Sequence, residues 1–160
     1  MSTIQMLLES DQELQQAYRL LRERLAAVYA AKPSIHGPED VAELLAVEMA
    51  ALEQEHLRVI LLNTRNQVLR VVEVVRGSVN SAQVRIAEIF REAVRENAVG
   101  LILVHNHPSG DPSPSPDDIA LTRQVVQAGE LLDIRVLDHI IVGAGAYVSL
   151  REMGVVVFSD

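Results

Sequence analysis

The 160-residue chain has no cysteine and no tryptophan, and only 3% of it is aromatic. Without cysteine there is no disulfide framework and no thiolate to close a structural metal site, and the composition fits a reducing cytoplasm, the expected location. With so few rings the core must be built from Val, Leu, Ile and Ala, and little is left for stacking on the bases of single-stranded nucleic acid. Also lacking are a basic-then-apolar leader and an apolar run of spanning length, so no membrane association is expected. The net charge is −8, with 14 Lys and Arg against 22 Asp and Glu. That balance argues against DNA binding by the whole surface and leaves only a weak or indirect association through a local basic patch.

What is present is a 49% hydrophobic chain of one-domain size, long enough to bury a real core. Ser10-Asp11 opens a helical pattern with Leu14, Ala17, Tyr18, Leu21, Leu25 and Val28 on one stripe, a surface for the domain itself or for a second copy of the chain as a homo-oligomer. Lys32 to Pro38 reads as a linker, so the expected division is an N-terminal helix and linker at 1–36 and a domain at 37–160. Within that domain Pro38 starts a helix to about Leu52, and strands near 56–63 and 67–76 form a hairpin. Ser81 starts a helix to about Asn97, and Val99–Val104 reads as a buried strand. A helix from Ser115 and a second hairpin, 134–142 with 146–150, complete an α/β fold: a mixed β-sheet flanked by helices.

Chemistry concentrates in Val104–Asp118. His105 and His107 sit where a strand ends, and residues i and i+2 of an extended chain share a face, roughly 6 to 7 Å apart at Cα. Ser115-Pro116-Asp117-Asp118 has the form of a helix start, with a hydroxyl cap, proline at the first position and an acid three residues on. Taken singly, the His pair is ordinary surface chemistry, the Ser-x-x-Asp piece a capping box, and the four prolines from Pro108 to Pro116 a stiff loop. Together they place two imidazoles and a carboxylate on a rigid strand–loop–helix junction, and two His, one Asp and one water fit a catalytic zinc site with an open position.

The spacing of His105, His107, Ser115 and Asp118 is similar to the signature of JAMM (MPN+) metalloproteases, and His105–Gly110 with Pro114-Ser115 and Asp118 resembles the RadC family more closely still. Arg76-Gly77-Ser78, Thr122, Leu137–Val142, Ser149 and Gly154 extend the likeness over roughly residues 37–158. The resemblance implies a cytidine-deaminase-like α/β fold, one zinc per chain on His105, His107 and Asp118, an oxyanion role for Ser115, and a glutamate acid/base that Glu55 matches. Glu53 and Glu73 are competitors for that glutamate, and Glu73 reads rather as the exposed side of an edge strand. Family members carry a longer DNA-binding-type region ahead of this domain, which 1–36 is too short to contain.

The expected function is a zinc-dependent hydrolase of a peptide or isopeptide bond in a protein or peptide substrate. Zinc would bring a coordinated water's pKa to about 7 and Glu55 would carry its proton to the leaving amine. Ser115 would have to share one hydroxyl between capping and catalysis. The alternative is a DNA-repair or mobile-element accessory protein that uses the fold only for binding. Of the remaining histidines, His36 lies in the linker and His56 at a strand start. His139 could support the metal, and Thr122 could bond the Asp118 carboxylate.

Overall fold

A computed structural model describes residues 11–17, 19, 20, 23, 32–80 and 83–160. The chain divides into two compact units, Met1–Pro33 and Ser34–Asp160. In the first, residues 11–17 are helical and exposed, while Ser10, Tyr18, Leu21, Leu25 and Val28 lie outside the described residues. The second unit begins three residues earlier than the sequence suggests. Ser34 pairs with Gln67 and Ile35 is 5% exposed, so part of the expected linker is tied into the domain.

The domain runs α1 (Pro38–Ala50), β1 (His56–Leu62), β2 (Val68–Arg76), α2 (Ile86–Arg95), β3 (Gly100–Asn106), α3 (Pro116–Leu132), β4 (Arg135–Val142), β5 (Tyr147–Ser149) and α4 (Leu150–Met153). Its five-stranded sheet has the order β2-β1-β3-β4-β5, with β3 and β4 parallel and the other neighbours antiparallel. It is a mixed sheet flanked by helices, as expected. Every residue of β3 is buried, which explains the unbroken apolar run into His105. A strand covered on both faces has no polar side to alternate with.

Side-chain alternation sorts the core into two layers. Leu57, Val59, Leu61, Leu101 and Leu103 pack with Ile89 and Phe90 of α2 and Leu121 and Val125 of α3. Ile60, Leu62, Ile102, Val104 and Ile140 pack on the other face with Val41, Leu45 and Met49 of α1. A bulge in β4 interrupts that alternation: Leu101 pairs with Val136 but Ile102 with Asp138. The extra residue, Leu137, puts His139 and Ile141 on the same face as Val136, toward α3.

Helix α2 starts at Ile86, later than the Ser81 start read from the sequence, and Ser81 itself lies outside the described residues. The amides of Gln83 and Val84 donate to the Asn80 carbonyl, closing a turn that uses these donors before the helix begins.

At Gly129 the backbone of α3 packs close against the start of β4. A Cβ there would fall 2.5 Å from the Ile134 carbonyl oxygen and 2.8 Å from Val136 Cγ2. Alanine in a helix is ordinarily favoured over glycine by about 1 kcal/mol, but a backbone oxygen cannot step aside as a side chain can. Gly129→Ala is therefore expected to lower stability by about 1–3 kcal/mol, as overpacking does. Denaturant unfolding checks this, and a raised midpoint would show that α3 is free to shift.

Candidate metal centre

The site forms where β1 begins and β3 ends. Leu57 pairs with His105 across these antiparallel strands, so one further step along the register sets Asn106 beside His56, and the next sets His107 beside Glu55. Glu55, His105 and His107 each offer a ligand atom, and the three atoms lie within 4.8 Å of one another. The imidazole centroids of His105 and His107 are 4.7 Å apart. Asp118, 2% exposed, brings Oδ1 to 3.4 Å from His105 Nε2 and Oδ2 to 3.2 Å from His107 Nε2.

Each group is held from behind. The Ser115 hydroxyl accepts from the Asp118 amide at 3.1 Å, and the Ser115 amide donates to Asp118 Oδ2 at 2.7 Å. This is the expected capping box, and it also aims the carboxylate. Because Ser115 caps through an oxygen lone pair, its proton stays free, and capping does not compete with donation as the sequence reading supposed. His107 donates from Nδ1 to the Asp111 carbonyl at 2.8 Å, which leaves Nε2 with its lone pair toward the site. The His107 amide in turn donates to the Val142 carbonyl, and the Ala144 amide to the Gly110 carbonyl, pinning the loop after β3 to the end of β4.

Glu55 is fixed by four bonds. Val79 N–H donates to Glu55 Oε2 at 2.7 Å and Gly77 N–H to its carbonyl at 2.8 Å. On either side, Asn106 Oδ1 accepts from the His56 amide at 2.7 Å and Asn106 Nδ2 donates to the Gln54 carbonyl at 2.9 Å. Asn106, 1% exposed, thus brackets the glutamate. Sequence reasoning passed over it because a buried Asn between two histidines has no local signature, although its place in the His105–Gly110 motif was a signal. Glu53 is exposed outside the group. Glu73 is an exposed edge-strand residue engaged with His56 and Arg76, and the bond from His56, with Arg76 beside it, holds its pKa below the ordinary carboxylate value.

Behind His105 lies His139, fully buried, with its Nε2 2.8 Å from His105 Nδ1. Thr122 Oγ1 is 2.6 Å from His139 Nδ1 and donates to the Asp118 backbone carbonyl at 2.6 Å, not to the carboxylate as the sequence suggested. Asp138 points to the other face, where it accepts from Ser149 Oγ and the Arg151 amide.

One atom shows that the donor set suits a divalent cation. His105 Nε2 is buried and has no hydrogen-bond partner among the described residues, although Asp118 Oδ1 lies 3.4 Å away. Such an atom carries a desolvation penalty that a cation shared with His107 and a carboxylate would relieve. A cavity of about 480 Å³ lies elsewhere in the domain, against Ile35, Pro38, Val41, Leu137 and Arg151, and none of these site side chains lines it.

Residues 35–155 match the family described as "RadC-like JAB domain". The chain is 61% identical over 120 residues to the UPF0758 protein of Chloroflexus aurantiacus, covering 75% of this chain and 52% of that protein. It is 49% identical over 142 residues to the UPF0758 protein of Roseiflexus castenholzii, covering 89% and 61%. It is 45% identical over 143 residues to that of Desulfitobacterium hafniense, covering 89% and 63%. The chain thus spans about half to three-fifths of the length of these relatives. No described helix is long and apolar enough to cross a membrane.

Two outcomes follow from the geometry. Asn106→Ala strips partners from the His56 amide and the Gln54 carbonyl, and is expected to cost about 2–5 kcal/mol by denaturant unfolding; a loss under 1 kcal/mol would mean the bracket around Glu55 is dispensable. Acid sensitivity is the second. Burial, reinforced by His107 and opposed by Asp118, lowers the His105 pKa from 6.5 to about 4. Burial and the two other imidazoles hold His139 well below 6.5. The unfolded chain takes up these protons first, so the metal-free protein should lose stability as pH falls from about 6.5 toward 4. Unfolding midpoints in chelator check this, and a flat profile across that window would contradict neutral buried imidazoles.

Proposed function

The chain belongs to the RadC-like JAB-domain family, and from that premise we propose that it is a zinc-dependent hydrolase of peptide or isopeptide bonds in a protein or peptide substrate. The observation that carries the reading is the convergence of the unpartnered His105 Nε2 with His107 Nε2 and the Asp118 carboxylate beside Glu55.

Two carboxylates compete for the place of third ligand. Asp118 takes it, because it is nearly fully buried and aimed by the capping box, whereas Glu55 is half-buried and already shares Oε2 with the Val79 amide. Bound to His105, His107 and Asp118, zinc would supply Lewis acidity, acidifying a coordinated water and polarising the scissile carbonyl. Glu55 Oε1 would accept the proton of the attacking water and return it to the leaving amine. The Val79 amide keeps that carboxylate from rotating away. Ser115, its hydroxyl proton unspent by the cap, would donate to the developing oxyanion, a contribution of up to about 3 kcal/mol.

Metal content of the purified chain, set beside peptide-library cleavage, tests this. Native protein should carry about one zinc per chain, and His107→Ala and Asp118→Asn should lose it. Glu55→Gln should retain zinc while cleavage falls by about 10²-fold or more. Native protein that takes up no metal would sink the reading, and unimpaired cleavage by Glu55→Gln would remove Glu55 from it.

A further inference from the structure

His139 and Thr122 touch neither Glu55 nor the Asp118 carboxylate in any bond described above, yet both are 0% exposed and joined to His105 in one line. That line can be solved by counting protons. The Asp118 carbonyl can only accept, so the single hydroxyl proton of Thr122 is committed to it. Thr122 Oγ1 then has only lone pairs for His139 Nδ1, and the 2.6 Å contact requires that Nδ1 carry the hydrogen. A neutral His139 consequently has a bare Nε2, which must accept from His105 Nδ1 at 2.8 Å. His105 Nε2 is left without hydrogen, which agrees with its being buried and without a hydrogen-bond partner among the described residues.

We propose that Thr122 and His139 are positioning residues that lock His105 in the tautomer protonated on Nδ1, setting its Nε2 lone pair toward the metal site before any ion arrives. The line starts and ends on ligand residues. Its first acceptor is the backbone of Asp118 and its last donor is His105, so turning Asp118 in the first turn of α3 would also disturb the imidazole it faces. His107 reaches the same tautomer by a shorter route, through the Asp111 carbonyl. A carbonyl holds the more exposed imidazole, whereas the buried one is held by another side chain, His139. The β4 bulge is what makes His139 available there.

The proton assignment is independent of metal binding, but its consequence for affinity rests on the proposed zinc site, and the experiment separates the two. Long-range ¹H–¹⁵N imidazole spectra of the whole chain, stripped of metal with chelator, should show His105 and His139 both protonated on Nδ1. Thr122→Val should lose that uniform pattern and bind zinc about 10–100-fold more weakly, and Thr122→Ser should recover both. A His105 proton on Nε2 in the native chain overturns the proposal, as does Thr122→Val with unchanged spectra and unchanged zinc affinity. If Thr122→Val does not fold, the native spectrum alone decides. Native spectra as expected in a chain that binds no zinc would uphold the tautomers and refute the zinc site instead.

Discussion

The pairing of β1 with β3 is the constraint on which the site depends. Leu57 must lie opposite His105 for Glu55 to meet the two imidazoles. Because side chains alternate faces along a strand, a slip of one residue in β3 would turn both histidines away from α3. Asn106, bonded to the backbone on both sides of Glu55, resists that slip, but the core resists it more. Leu57, Val59 and Leu61 are buried on one face of β1 and Ile60 and Leu62 on the other, each fully. At about 1.5–3 kcal/mol per buried aliphatic side chain, a shifted register would forfeit far more than any one hydrogen bond at the site returns. The geometry of the site is inherited from hydrophobic packing.

A second layer of control is local and polar. Ser115 and Asp118 exchange hydrogen bonds across the first turn of α3, so the cap that begins the helix also mounts the Asp118 carboxylate. The loop between β3 and α3 is held as tightly from the other side. A Cβ on Gly143 would fall 2.3 Å from the Gly110 carbonyl oxygen, so only a residue without a side chain lets the β4–β5 turn close against that loop. The proline-rich stretch thus has little freedom at either end, and His107 gains a fixed carbonyl partner at Asp111.

How much of this could be read from the chain depended on distance along it. His105, His107, Ser115 and Asp118 lie within one strand–loop–helix unit, where spacing alone dictates which side chains converge. The apolar run before His105 likewise announced a strand buried on both faces. Glu55 is fifty residues away, and without the family resemblance no spacing separates it from Glu53, while Glu73 reads rather as the exposed side of an edge strand. Only the cross-strand register separates them, and a register is a property of two strands together. Asn106 was hidden for the same reason, and His139 was legible as a support of the metal but not as the partner of His105. The start of α2 was misread because Ser81 suggested a cap, whereas the backbone first closes a turn on Asn80. The Thr122 bond was anticipated with the wrong acceptor: one turn of helix brings its hydroxyl to the carbonyl of Asp118, which is where a threonine inside a helix commonly bonds.

The bulge at Leu137 carries a consequence of another kind. Were Leu137 to take its turn in the alternation and pair with Ile102 instead of bulging, Asp138 would face α3 in place of His139. The group behind His105 would then be a carboxylate, which accepts from Nδ1–H with a full negative charge and would make the imidazole a stronger electron donor. Two chemically different versions of the same pocket are therefore separated by a one-residue shift of register in β4, with no substitution at any residue that would touch the metal.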